Sequence, residues 1–205
     1  MKYIILDTET SDLNGEVIQM AFMVVNEDLD IEMFESFYCN TEQIISDGAF
    51  NVHHISNKML KELSGGKWFE DYLLKDYKEV FFNKGRVFTG FNIPYDLKRI
   101  NYTLEYTGLS LPAVRTVTDL RRLDDNLVYS FDLMKTCRRK FNQIKGINLK
   151  ECTDRLVSGT LDVDEVYKYY CKKYGIRTSG NGYHDASYDV VCTYLLLVAL
   201  SDEVC

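Results

Sequence analysis

The chain has 205 residues, 46% of them hydrophobic and 27% charged, and a formal net charge of −7. This balance predicts one compact globular domain over residues 1–205. It excludes a chain built to wrap long duplex nucleic acid, which needs a surplus of Lys and Arg.

No stretch approaches the roughly 20 consecutive apolar residues of a membrane span. The N-terminus enters a strand at once, without a basic region and secretory hydrophobic segment. A soluble, cytoplasmic protein with no membrane partner is therefore expected.

In chain order, alternation and β-branched residues predict strands near 2–7, 17–25 and 31–38. The turn-like stretches "SDLNG" and "NEDLD" between them make an antiparallel three-strand meander. Residues 57–82 read as helical, interrupted at Gly65-Gly66. "RVFTGF" (86–91) reads as a short buried strand, followed by a helix from about 93 to 107 with Asn92 as N-cap and Pro94 in its first turn. Residues 108–127 carry no firm pattern. "LVYSF" (127–131) is a further strand, and helices are expected at 133–142, 148–157 and 162–174. The last helix, about 185–202, is apolar nearly all round through "VVCTYLLLVAL" and so should be buried. A meander followed by strands alternating with helices predicts an α/β mixed sheet, part antiparallel and part parallel, with helices packed on it.

Charge is unevenly spread. Residues 1–110 carry 10 basic and 18 acidic side chains, residues 111–180 carry 14 and 9, and residues 181–205 carry 0 and 4. Within the basic middle, "LMKTCRRKFNQIKGINLK" (133–150) has six cations and no acid. Such a run suits either a solvated helix face or a polyanion, with Phe141 as a stacking face. The six cysteines form no C-x-x-C pair, so reduced, packed thiols are expected and a structural zinc site is not.

Three acidic stretches carry chemistry. In "YIILDTETSDL" (3–13), Asp7 and Glu9 stand two apart at the end of an apolar strand, so they share one face about 7 Å apart. Desolvating both without a counter-charge costs several kcal/mol, which a hard divalent cation removes. "FNIPYDLKRIN" (91–101) puts Asp96 in the first turn of a helix. "GYHDASYDVV" (182–191) puts His184 just before the C-terminal helix and Asp189 within it, with small Ala186 and Ser187 between for close packing.

"DTET", "FNIPYD" and "HDASYD", in this order and spacing, resemble the three motifs of the DnaQ-like DEDDh 3′→5′ exonucleases, of the ribonuclease H-like superfamily. The third motif fits the H-x-A-x-x-D form, since Asp185 and not tyrosine stands four residues before Asp189. "VHHIS" (52–56) resembles the family's H-G-I segment with His in place of Gly, and "INLKECTDRL" (147–156) resembles a helix of the family. The resemblance implies a ribonuclease H-like fold and two Mg²⁺ or Mn²⁺ ions. Asp7, Glu9 and Asp189 would hold one ion, Asp7 would bridge to a second supported by Asp96, and His184 would be the general base. It further implies that Thr10 and Leu13 lie against the terminal nucleotide, with His54 and Asn92 near the active site.

The expected function is hydrolysis of single-stranded DNA or RNA from its 3′ end to nucleoside monophosphates, in proofreading, trimming or degradation. A catalytically silent end-binding or scaffold module on the same fold is the alternative. A small-molecule phosphoesterase is a third reading, disfavoured by the basic segment. A polymerase partner and a homodimer are left open.

Overall fold

A computed structural model describes residues 1–143, 145–177 and 182–204. Its strands are β1 (Lys2–Thr10), β2 (Val17–Val25), β3 (Ile31–Tyr38), β4 (Arg86–Gly90), β5 (Arg115–Val117) and β6 (Val128–Asp132). They form one mixed sheet in the order β3-β2-β1-β4-β6-β5. The pairs β1–β2 and β2–β3 are antiparallel. The pairs β1–β4, β4–β6 and β5–β6 are parallel. The predicted meander and α/β class are thus observed.

The helices among the described residues are α1 (Asp47–His53), α2 (Asn57–Ser64), α3 (Lys78–Phe81), α4 (Ile93–Leu104), α5 (Leu133–Lys140), α6 (Leu149–Leu156), α7 (Val163–Tyr174), α8 (Ala186–Ala199) and α9 (Ser201–Val204). A π-helical turn, Asp71–Asp76, precedes α3. None of these helices is long and apolar enough to cross a membrane.

The pleat of β1 divides the core. Ile4 and Leu6 point into a layer shared with Phe22, Phe88 and the Ile93, Leu97, Ile100 and Leu104 stripe of α4. Tyr3 and Ile5 point into the opposite layer, with Phe131, Leu133 of α5, Cys152 of α6, Tyr167 of α7 and Val190 to Val191 of α8. Burying each large aliphatic or aromatic side chain contributes about 1.5–3 kcal/mol. As its all-round apolarity predicts, α8 is buried from Ala186 through Leu197 at all but one position, Tyr194.

Four local features differ from expectation. Strand β1 runs on to Thr10, with its ladder shifting register between Glu9 and Thr10. Helix α1 lies where none is predicted, capped by the Ser46 side chain accepting from Ala49 N. Strand β5 lies in the unassigned stretch 108–127, paired along one side to β6. Asn92 is not a side-chain N-cap: it sits in the left-handed region at φ 73° and makes no capping bond. The chain must reverse sharply there, and the Asp132 carboxylate holds the turn by accepting from Asn92 N at 3.0 Å.

Gly90 makes the same reversal possible. A Cβ there would come 3.0 Å from the Leu6 carbonyl oxygen, a backbone atom that cannot move aside. Without a side chain, β4 can end flush against β1 and deliver α4 beside it.

Candidate active site

The alternation of β1 carries past its apolar half. Asp7 and Glu9 continue the Tyr3–Ile5 face, toward α8, while Thr8 continues the Leu6 face, toward α4. Asp7 stands opposite Ala21 and Glu9 opposite Gln19 in the ladder with β2. Small side chains let α8 approach: Ala186 N donates to Gln19 Oε1 at 3.4 Å. This brings Asp189, on the first turn of α8, into the same enclosure, where it is buried like Glu9.

From the other layer, Asp96 in the first turn of α4 is buried and reaches β1 directly. Its Oδ1 accepts from Thr8 N at 3.0 Å and from Thr8 Oγ1 at 2.7 Å. Four acids from three distant segments therefore meet at one strand end.

Their electrostatics show the cost of that meeting. Asp7 is held well above the ordinary carboxylate range, first by desolvation and then by the charges of Asp96, Asp189, Glu9 and Asp185. Glu9 is raised in the same way by burial, then by Asp189, Asp96 and Asp185. Burial pushes Asp96 up to about 7 against the opposing hydrogen bonds from Thr8. Burial likewise pushes Asp189 up to about 7, although His184 N donates to its Oδ2 at 3.2 Å. Carboxylates raised first by burial and then by neighbouring acids form a cluster that a cation would stabilise.

His184 sits at the mouth of the cluster, exposed and in the left-handed region at φ 69°. Ligand atoms of Glu9, His184 and Asp189 all lie within 4.8 Å of one another. Asp189 Oδ1 is buried and has no hydrogen-bond partner among the described residues. Oxygen donors around an orphaned carboxylate oxygen fit a hard divalent cation. The imidazole belongs to that grouping, so His184 stands beside the carboxylate oxygens of Glu9 and Asp189. Desolvation of its ring, then the neighbouring His54, lowers its pKa from 6.5.

Beside the acids, a cleft of about 260 Å³ opens between the end of β1 and α1. Thr10 and Leu13, both expected at the substrate, line it. Leu13 is 72% exposed, as a side chain must be to meet a base. Thr10 is buried, its Oγ1 donating to Asp12 O at 2.8 Å and lying 2.9 Å from the Tyr95 hydroxyl.

His54 does not line the cleft. It closes α1 at φ 60° with its side chain exposed, which explains why the resembling H-G-I segment has glycine at this position. The cleft residue is the preceding His53, buried, with Nδ1 accepting from Ile55 N at 3.0 Å and Nε2 lying 3.2 Å from Thr10 O. Those partners require the neutral Nε2–H tautomer, and burial lowers the His53 pKa accordingly. Asn92 stands at the turn into α4 with its side chain exposed and also does not line this cleft.

Sequence reasoning missed His53 and Tyr95. For His53 the signal was present, since the histidine of H-G-I is the first of the pair. Tyr95 carried none: its hydroxyl donates to Leu13 O at 3.2 Å, a contact across 82 residues that no local pattern encodes.

A six-stranded mixed sheet of this order, with buried acids converging at the end of β1, defines an exonuclease domain of the ribonuclease H-like class. The chain belongs to the RNase T exonuclease family, whose sequence profile matches residues 4–197. No curated protein matches it in sequence.

Among solved structures, it resembles exonuclease X in complex with 5′ overhanging duplex DNA at TM-score 0.61 and 20% identity, covering 98% of this chain and 92% of that one. It resembles the E. coli exonuclease I–single-stranded DNA complex at TM-score 0.65 and 16% identity, covering 98% of this chain and 40% of the other. Exonuclease I from Methylocaldum szegediense matches at TM-score 0.63 and 15% identity, with coverage of 98% and 40%. The chain thus spans nearly all of exonuclease X and about two fifths of exonuclease I, and at these identities the likeness is one of fold.

Proposed function

We propose that the chain is a metal-dependent exonuclease that shortens single-stranded DNA or RNA from the 3′ end and releases nucleoside monophosphates. The observation that carries this reading is the convergence of buried Glu9, Asp96 and Asp189 and half-buried Asp7 at one strand end, with His184 at the opening. A structural role alone would favour apolar side chains at these positions. Family membership and the nucleic-acid complexes of exonucleases X and I support the same substrate class.

Glu9, Asp189 and Asp7 would hold one Mg²⁺ or Mn²⁺, and Asp7 with Asp96 a second. When bound, such ions acidify a water and stabilise charge on the attacking and leaving oxygens of a phosphodiester. The chain supplies the remaining parts. His184, neutral because its pKa lies below 6.5, can accept the proton of the attacking water at a ring nitrogen. The hydrogen bonds of Asp96 to Thr8 and of Asp189 to the His184 backbone fix those carboxylates before substrate arrives. Leu13, held from behind by Tyr95, offers an apolar edge to the terminal base, and the cleft at Thr10 takes its sugar.

The test is incubation of 5′-labelled single-stranded DNA and RNA with Mg²⁺, Mn²⁺ or chelator, comparing wild type with Asp7→Ala. A ladder shrinking by single nucleotides from the 3′ end, lost with chelator and in the variant, is expected. Cleavage that survives chelation, or equal cleavage by Asp7→Ala, refutes the reading.

A further inference from the structure

The acid-free basic segment finds its place on α5. Lys135, Arg138 and Arg139 from this helix, with Thr118, Asn142 and Gln143, enclose a pocket of about 420 Å³. Among the described residues, no carboxylate lines it. Four neighbouring cations are ion-paired: Lys140 with Glu203, Arg121 with Asp119, Lys150 with Asp154 and Arg155 with Glu151. Among the described residues, Arg138 and Arg139 have no carboxylate within 4.0 Å, and Lys135 has only Asp132, at 3.9 Å.

Neither guanidinium is satisfied by a charge. Arg138 Nε is buried with no acceptor. Arg139 Nη2 reaches only the neutral Thr118 O and Thr136 Oγ1, both at 3.3 Å. Three like charges gathered on one helix repel one another unless an anion joins them, and forked donors beside an ammonium match a phosphodiester. Phe141, expected to stack on a base, is not free to do so: it is half-buried and covered by the Arg155 guanidinium, 4.9 Å from its ring centre. The pocket therefore reads charge, not bases.

Its position agrees. Strands β1, β4 and β6 run parallel, so α4 and α5 leave the same end of the sheet, and Asp132 before α5 binds Asn92 before α4. Two strand spacings separate β6 from β1, about 10 Å, and Arg138 lies about 9 Å further along the helix at 1.5 Å per residue. The pocket is then roughly 10–20 Å from the acids, a reach of about three to six nucleotides at 3.4 Å per stacked nucleotide.

We infer that the α5 pocket is a phosphate subsite, gripping the sugar–phosphate backbone of the strand being shortened several nucleotides to the 5′ side of the scissile bond. This rests on the exonuclease reading above. It makes affinity depend on strand length while leaving the chemical step alone.

The experiment compares wild type, Lys135→Gln/Arg138→Gln, Arg138→Lys and the single Lys135→Glu, whose side chain is exposed and whose folding is therefore secure. Each is assayed with a 12-mer, a dinucleotide and a nucleoside 5′-monophosphate p-nitrophenyl ester, and anisotropy of the labelled 12-mer in Ca²⁺ gives binding without turnover. For the double variant, KM and Kd for the 12-mer rise about 10-fold or more with kcat unchanged, and the two short substrates are unaffected. The slope of log Kd against log salt falls by about 1.4, two phosphate contacts at 0.7 each for a single strand. Arg138→Lys keeps most of the affinity, and Lys135→Glu raises Kd for the 12-mer. Unchanged 12-mer binding in the double variant and Lys135→Glu, or an equal KM rise on the dinucleotide, overturns the subsite. Asp7→Ala that still hydrolyses the ester and the 12-mer instead strikes the exonuclease reading, leaving anisotropy to decide the pocket.

Discussion

Strands β1 and β2 are each nine residues long and pair with one another at eight positions, yet they are opposite kinds of strand at one end. All nine residues of β2 are buried, eight of them apolar and the ninth, Gln19, hydrogen-bonded to the Tyr38 hydroxyl at 3.1 Å. Strand β1 matches it through Leu6 and then places Asp7 opposite apolar Ala21 and Glu9 opposite Gln19, the one polar residue of its partner. One strand is built to hold the sheet together; the other ends in charges that the sheet can hold only under strain. The difference separates residues kept for stability from residues kept for chemistry, and substitutions should divide accordingly.

The largest effect is expected at the acid end. Asp7→Ala or Asp189→Asn should lower the exonuclease rate by about 10³-fold or more, since Asp7 serves both proposed ion sites and Asp189 the first, without lowering the melting temperature of the metal-free protein. A fall in both rate and stability would merge the two classes of residue.

His184→Gln comes next, at about 10²–10⁴-fold, the usual range for a general base. Its signature is the pH profile. With a pKa lowered from 6.5, the wild-type rate should climb as pH rises through the acid range and level off by neutrality, whereas the variant should lose that climb. An unchanged profile would remove His184 from the proton transfer.

Phe22→Ala tests the other strand. Phe22 is fully buried and packs edge-on at 5.0 Å against both Tyr77 and Phe81. Its loss should cost about 3–5 kcal/mol in denaturant unfolding while the folded fraction keeps its specific activity.

The smallest effect sharpens the comparison most. Asp96 and Asp189 have folded pKa values of about 7, above their ordinary 3.8. The native state therefore binds more protons than the unfolded chain between those limits. Stability of the metal-free protein should be greatest below about pH 4 on this account and fall as pH rises through about 7. Asp96→Asn, whose amide oxygen can still accept from Thr8, should raise metal-free stability at pH 8 by about 1–3 kcal/mol. Mn²⁺ should raise the melting temperature of wild type and do so much less for Asp189→Asn. Equal Mn²⁺ shifts in the two proteins would place the cation elsewhere.

Much of this was legible in the sequence because it depends on periodicity. The meander, β4, β6 and the all-round apolar α8 follow from alternation or its absence, and the motif acids follow from interrupting an apolar pattern. What escaped depends on contacts between distant segments. Strand β5 has three residues, two exposed and one half-buried, so it shows no hydrophobic alternation and exists only through its ladder with β6. Helix α1 spans seven residues, too few to display a period. Asn92 carries a capping side chain, but the reversal between β4 and α4 forces it left-handed, so Asp132 supplies the bond instead. His53 and Tyr95 belong to a cleft that forms only when α1 and the turn after β1 meet. Cys39, Cys137, Cys152 and Cys192 are buried free thiols and Cys171 a half-buried one, while Cys205 lies outside the described residues.

The alternation at Asp7, Thr8 and Glu9 has a further consequence. Neighbouring residues of one strand engage opposite layers, Thr8 tied to Asp96 on α4 and Glu9 beside Asp189 on α8. A folding intermediate with only one layer docked would hold part of the acid set and could not assemble the rest. The complete acid set therefore exists only where both layers are packed on the sheet at once.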